Sequence, residues 1–201
     1  MNENEMYEPR DSVYCYPGTT ILINTEDIKD HAKLKEFEEN MVSLNLAELE
    51  EFGITGNFDS NHFVSIHKHM FEDIYPFAGL FRRENISKDN FRFAEWQYIE
   101  SELEKLLINL KHENYLTGLD KDALADKLSY YLAELNVLHP FREGNDRSTR
   151  EFIRQLALKN KYYLNFNKSD AEEILKASIK SPFDIADLRN TIFNCLDSEL
   201  L

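Results

Sequence analysis

One short stretch of the chain, His139 to Arg150, gathers the residue types that phosphate chemistry needs. It reads HPFREGNDRSTR and holds one His, one Glu, three Arg, one Asp and a Gly-Asn pair within twelve residues. Histidine titrates near neutrality and is suited to take a proton from an attacking hydroxyl. Arginine guanidinium groups pair bidentately with phosphate oxygens. The stretch therefore predicts a site for phosphoryl or nucleotidyl transfer.

The spacing assigns a role to each part of this stretch. Gly144 and Asn145 can take the positive-φ conformations of a tight anion-holding turn. A helix that begins just after them points its first N–H groups back into the loop. Arg147 and Arg150 are three residues apart, so both can face one side of that helix. Glu143 is placed to hold Mg²⁺, which binds through one or two carboxylates plus substrate phosphates.

Helices must position this loop, because apolar residues recur at helical spacing along most of the chain. The predicted helices span about 24–51, 59–76, 95–112, 120–138, a segment from about 147, 169–179 and 183–199. Residues 80–94 differ, since Asn85, Lys88, Asp89 and Asn90 are turn formers between aromatic residues, which predicts a short β-hairpin or flap. The predicted fold class is all-α with one small β element.

The composition excludes several classes of function. The net charge is −14 over 201 residues, and no basic face that would grip nucleic acid is visible. Cys15 and Cys195 lie far apart and predict reduced thiols in the cytosol. His62, His67 and His69 do not share one helix face, so we interpret them as core or surface histidines. With a polar, acidic N-terminus and no apolar run near ~18 residues, we expect a cytoplasmic protein without membrane or direct nucleic-acid partners.

The stretch from 139 to 150 resembles the signature of the Fic family, His-x-Phe-x-(Asp/Glu)-Gly-Asn-Gly-Arg-x-x-Arg. The corresponding residues of this chain are His139, Phe141, Glu143, Gly144, Asn145, Asp146, Arg147 and Arg150. Residues 77–94 are similar to the flap region of the family, and residues 10–24 to the opening of its short toxin-type members. The resemblance implies a single Fic domain over 1–201, with an N-terminal extended arm (1–24), a flap (80–94) and an active-site loop (139–150).

The family implies a helical fold and transfer of AMP from ATP to a hydroxyl side chain of a target protein, by the bacterial toxin of a toxin–antitoxin pair. By motif position, His139 is the catalytic base, Phe141 is a core anchor and Glu143 binds Mg²⁺. The implied nucleotide-binding residues are Gly144, Asn145, Asp146, Arg147 and Arg150. The flap is expected to align the target by strand addition. The best candidates for the flap residues that dock the target are Ile86, Phe91, Arg92 and Phe93.

The resemblance also implies partners. The implied targets are the ATPase subunits of DNA gyrase and topoisomerase IV. Many relatives carry an inhibitory helix with the pattern Ser/Thr-x-x-x-Glu-(Gly/Asn), which no Glu of this chain satisfies. The segment 35–40, KEFEEN, is a near miss, and we interpret its acidic run 36–39 as a solvated helix face. A separate small antitoxin protein that carries the inhibitory helix is therefore expected.

Asp146 stands where the family has Gly. A carboxylate ~5 Å from a phosphate charge, at an effective dielectric of ~20, is repelled by roughly 3 kcal/mol before compensation by Mg²⁺ or Arg, which corresponds to about a hundredfold in ATP affinity. Asp146 could instead be a second Mg²⁺ ligand, or could neutralise Arg147. Three functions stay open: an active AMP transferase, a catalytically impaired nucleotide-binding protein, and a transferase of another phosphate-containing group.

Overall fold

The computed structural model describes residues 6–7, 12–88 and 91–198. Within these ranges the α-helices are α1 (His31–Phe52), α2 (Ser60–Phe71), α3 (Ile99–His112), α4 (Lys121–Leu138), α5 (Asn145–Lys159), α6 (Ala171–Lys180) and α7 (Ala186–Cys195). The strands are β1 (Met6–Tyr7), β2 (Ser87–Lys88), β3 (Phe91–Arg92), β4 (Tyr162–Leu164) and β5 (Leu196–Ser198). The predicted all-α class with a small hairpin flap is confirmed.

Aspartate side chains fix where four of the helices begin. Asp30, Asp59, Asp120 and Asp170 each accept a hydrogen bond from a main-chain N–H two or three residues further on. Such caps satisfy N–H groups that have no partner inside the helix. The predicted start of α1 near Asn24 is therefore wrong, because the Asn24 amide folds back onto Ile28, whose N–H donates to Asn24 Oδ1 at 2.8 Å.

Helices α4 and α5 form the centre of the molecule, with α2 packed on α5 and α7 packed on α4. The side chains at these contacts are buried, and they include Phe63, Ile66, Met70, Leu128, Tyr131, Leu135, Phe152, Ile153, Leu156, Leu188 and Ile192. Each such burial stabilises the fold by about 1.5–3 kcal/mol. The loop between α4 and α5 is consequently anchored at both ends in the core. None of the described helices is long and apolar enough to cross a membrane.

The strands form two antiparallel sheets, in the orders β1-β2-β3 and β4-β5. In the flap, Ser87 pairs with Arg92 and Lys88 with Phe91. The N-terminal strand β1 adds to the other edge of β2. The β4–β5 sheet was not predicted, and the expected helix 183–199 ends at Cys195 because the next residues pair with β4. Residues 1–5 and 8–11 of the expected arm, and 89–90 of the flap, lie outside the described residues.

Candidate active site

His139 ends helix α4 in the left-handed conformation, with φ 46° and ψ 60°, and its N–H still donates to Leu135 O at 3.0 Å. Pro140 follows and cannot continue the helix. The imidazole ring stacks on Phe93 of the flap, with 3.8 Å between ring centroids. Burial, and then the positive charge of Arg82, lower the pKa of His139 to about 3. His139 is therefore neutral at physiological pH, as a proton acceptor must be.

A pair of hydrogen bonds locks the loop that follows. Asn145 Oδ1 accepts from the N–H of Phe141 at 2.8 Å, and Asn145 Nδ2 donates to Phe141 O at 2.8 Å. Both residues are buried. The Asn145 side chain therefore closes the loop. Only the main-chain N–H of Asn145 is suited to bind an anion.

His67 of α2 supports the same loop from beneath. Its ring stacks on Phe141 with 3.7 Å between centroids. The Gly79 N–H donates to His67 Nδ1 at 2.8 Å, which leaves the proton on Nε2 to donate to Glu143 O at 2.9 Å. Burial lowers the pKa of His67 to about 4. It is a core histidine, one of the two placements, core or surface, that the sequence indicated, and it holds the main chain of the loop.

Gly144 opens helix α5 at φ +78°, and a Cβ there would lie 2.3 Å from the Phe71 ring. Both the backbone conformation and the space require glycine. The first hydrogen bond of the helix runs from the Ser148 N–H to Gly144 O at 3.1 Å. The N–H groups that precede it point toward the loop, so this end of α5 is suited to bind an anion.

Arg147 lies over the Phe71 ring and is held by carboxylates on two sides. Its Nη2 atom donates to Glu38 Oε1 at 2.6 Å and lies 3.4 Å from Glu143 Oε1. The other oxygen of Glu38 accepts a hydrogen bond from the buried hydroxyl of Tyr75. Glu38 of helix α1 therefore fixes the position of Arg147, the arginine that the sequence predicts to bind phosphate.

Asp146 pairs with Arg150 and not with Arg147. Arg150 Nε lies 3.2 Å from Asp146 Oδ1, and Arg150 Nη2 lies 2.9 Å from Asp146 Oδ2. The proposed neutralisation of Arg147 by Asp146 is therefore wrong, since Glu38 and Glu143 take that part. An arriving phosphate must compete with Asp146 for the Arg150 guanidinium.

The residues around Glu143 fit a magnesium ion. Burial, and then the neighbouring charge of Glu38, raise the pKa of the Glu143 carboxyl. A cation here would relieve the repulsion between two nearby carboxylates. No group of three or more His, Cys, Asp or Glu side chains clusters as a metal site among the described residues. Substrate phosphates would have to complete the coordination, which is how Mg²⁺ is usually held.

The flap residues singled out in the sequence differ in their exposure. Phe93 packs on His139, and Phe91 contacts both Phe93 and Phe183 edge-on. Arg92 is exposed, whereas the Ile86 side chain is buried. Ile86 therefore contributes its main chain to the hairpin, where its carbonyl accepts from the Phe93 N–H at 3.3 Å.

Sequence reasoning missed Glu38 and Arg82. The run 36–39 is not wholly solvated, because Glu38 turns inward while Glu36 and Glu39 are exposed. The signal was present, since Glu38 is four residues from each of Leu34 and Val42, on the buried stripe of α1. Arg82 is 1% exposed and bonds to main-chain carbonyls at the end of α4. No local pattern predicts that contact.

Residues 57–157 match the Fic/DOC family. Together with the helical fold and the motif loop, this match shows that the chain belongs to the Fic/DOC family.

Two curated relatives are similar over most of this chain. Protein adenylyltransferase VbhT of Bartonella schoenbuchensis is 39% identical over 92% of this chain, which spans 39% of the length of VbhT. Probable protein adenylyltransferase y4lH of Sinorhizobium fredii is 35% identical over 87% of this chain and 90% of its own length. Among solved structures, BepC of Bartonella tribocorum with bound AMPPNP has a TM-score of 0.88 at 24% identity, covering 93% of this chain and 97% of that one. The BepC likeness shows the fold.

Proposed function

We propose that the protein is an adenylyltransferase that moves AMP from ATP to a hydroxyl group of a target protein. The observation that carries the proposal is the neutral His139, stacked on the flap, at the start of a loop whose other end is the N-terminus of α5. The naming of the relatives VbhT and y4lH as adenylyltransferases supports the same chemistry.

In the proposed reaction, neutral His139 takes the proton from the target hydroxyl. The hydroxyl oxygen forms a bond to the α-phosphorus of ATP, and the bond from that phosphorus to the bridging oxygen breaks, so that pyrophosphate leaves. The N–H groups at the start of α5, with Arg147 and Arg150, bind phosphate oxygens and stabilise the developing charge. Mg²⁺ at Glu143 would supply further charge neutralisation when bound.

The target segment is proposed to join the flap as an added strand. Within the described part of the chain, β1 covers one edge of β2 and β3 covers the other, so β1 and β3 are the outer strands of this sheet. We therefore expect either docking along β3 or displacement of β1.

Labelled ATP tests the proposal directly. The protein is incubated with ATP labelled at the α or the γ position, with Mg²⁺ and a bacterial lysate. Label transferred from the α position only, and lost in His139→Ala by at least about 10²–10⁴-fold, supports AMP transfer. Near-wild-type labelling by the Ala variant would exclude His139 as the base.

A second candidate is transfer of another phosphate-containing group, or binding without transfer. The bidentate pairing of Asp146 with Arg150 favours it, because that arginine must be released before it binds phosphate. Label from the γ position alone would identify a phosphotransferase. No label from either position, with measurable ATP binding, would identify a silent nucleotide-binding protein.

The biological partners belong to the same proposal. The protein acts as a cytoplasmic bacterial toxin, and the ATPase subunits of DNA gyrase and topoisomerase IV are the first targets to test. A separate antitoxin that occludes Arg150 inhibits it. In the near-miss segment 35–40, the exposed Glu39 carboxylate lies 3.9 Å from the Lys35 ammonium, and Glu38 binds Arg147. Arg150 pairs with Asp146, which leaves the inhibitory contact with Arg150 to the proposed antitoxin. If the purified ATPase subunit of gyrase stays unlabelled while a protein in the lysate is labelled, gyrase is excluded as the target.

A further inference from the structure

A buried guanidinium lies between the flap and the end of helix α4. Arg82 is 1% exposed, and an arginine is buried so deeply only where its N–H groups find partners. Burial is also the largest influence on its pKa, which falls to about 10 and leaves the group charged at neutral pH.

Two of its partners belong to the stems of the flap. Arg82 Nη1 donates to Glu84 O at 2.6 Å, and Nη2 donates to Ala94 O at 2.6 Å. Glu84 precedes β2 and Ala94 follows β3, so the two carbonyls bracket the hairpin.

Its other partners belong to the turn that carries the base. Arg82 Nε donates to His139 O at 2.8 Å, and Nη2 also donates to Leu138 O at 3.3 Å. The Arg82 main-chain N–H donates to Pro140 O at 2.9 Å. One planar, rigid group thus ties the left-handed turn at His139 to both ends of the flap.

We propose that Arg82 is a positioning residue that fixes His139 relative to the flap, so that a hydroxyl aligned by the flap meets the base. This rests on the proposed AMP transfer. Lysine cannot replace it, because its ammonium is a compact point charge without the planar fork of donors. ATP binds at the other end of the loop, so loss of Arg82 lowers the transfer rate and leaves ATP affinity unchanged.

The test compares Arg82→Lys with Arg83→Lys, since Arg83 is the neighbouring arginine and its side chain is exposed. Arg82→Lys lowers kcat for labelling of the protein target by about a hundredfold, the cost of a misplacement near 1 Å. The Kd for ATP changes less than about twofold, which is below 0.5 kcal/mol. Arg83→Lys behaves like the wild type. A parallel loss of ATP binding, or a kcat near that of the wild type, would overturn the proposal.

A second measurement does not depend on activity. Hydrogen exchange followed by mass spectrometry is recorded for peptides covering 84–94 and 136–141, and for α2 and α7 as references. Arg82→Lys speeds exchange in the first two segments together and leaves the references unchanged. Unchanged exchange, or faster exchange throughout the molecule, would show that Arg82 does not couple these two segments. If the wild type transfers no AMP while Arg82→Lys still speeds exchange in both segments, the proposed AMP transfer fails. The structural role of Arg82 in joining the flap to the turn at His139 is then still supported.

Discussion

At the scale of single residues, the protonation state of His139 is set by its surroundings. Burial is the largest influence, and the positive charges that face the ring come from Arg82 before the flap, Lys88 on the flap and Arg142 in the same loop. All of these disfavour the imidazolium form, and the pKa falls to about 3.

We therefore expect kcat/KM for AMP transfer to be level from pH 8 down to pH 6. His139 stays neutral over that range, whereas a base with the ordinary pKa of ~6.5 would lose about three quarters of its neutral form by pH 6. The measurement is the initial labelling rate at several pH values with excess Mg²⁺. An inflection near pH 6.5 would contradict the low pKa.

Asp146 gives the second prediction at this scale. Asp146→Gly releases Arg150 and removes a negative charge from the anion site, so KM for ATP falls about tenfold, or ~1.4 kcal/mol. Asp146→Asn is the matched control, because it removes the charge without adding the flexibility of glycine. Both variants are compared by labelling rate over a range of Mg²⁺ concentrations. Slower variants that need more Mg²⁺ would instead make Asp146 a metal ligand.

At the scale of the elements, helix α1 reaches into the site through Glu38. Its carboxylate bonds to Arg147 and Tyr75, which lie on two other parts of the fold. Glu38→Ala lowers the free energy of unfolding by about 1–3 kcal/mol, because hydrogen-bonded charges are left without their partner. Glu39→Gln, at an exposed neighbour, changes it by less than about 1 kcal/mol. Urea unfolding of both variants measures the difference, and equal losses would show that Glu38 does not anchor Arg147.

Strand β1 gives the second prediction at this scale, because it occupies the β2 edge of the flap. Deleting residues 1–11 frees that edge for a target segment. KM for the target protein should fall while KM for ATP is unchanged, as measured by labelling at varied concentrations of each substrate. A higher KM for the target would mean that β1 forms part of the docking surface.

The elements show why sequence reasoning succeeded in some places and failed in others. The flap, α3 and α4 were predicted close to their bounds, because turn formers and caps such as Asp120 act locally. The β4–β5 sheet was missed because its three-residue strands lie about thirty residues apart and carry no hairpin signal. The contact from Glu38 to Arg147 spans 109 positions, so only the fold brings the two side chains together.

At the scale of the whole molecule, the excess of 37 acidic over 23 basic residues opposes compaction. Exposed ion pairs offset little of this charge repulsion, since each pair contributes about 0–1 kcal/mol of stability. Raising NaCl to 1 M shortens the screening length to about 3 Å. We expect Tm to rise by about 2–4 °C, which corresponds to ~1 kcal/mol in a protein of this size. Thermal unfolding followed by circular dichroism checks this, and a Tm that falls with salt would show that local attraction outweighs net repulsion.

The closed ring of hydrogen bonds between Asn145 and Phe141 bears on how ATP, the proposed substrate, would be captured. These two bonds lie within the loop and hold it closed, so in the proposed function little chain entropy would be lost when ATP binds. The rate of capture then depends on how often a polyanion reaches an acidic protein. Selection for faster capture would consequently act on surface charge and leave the loop as it is.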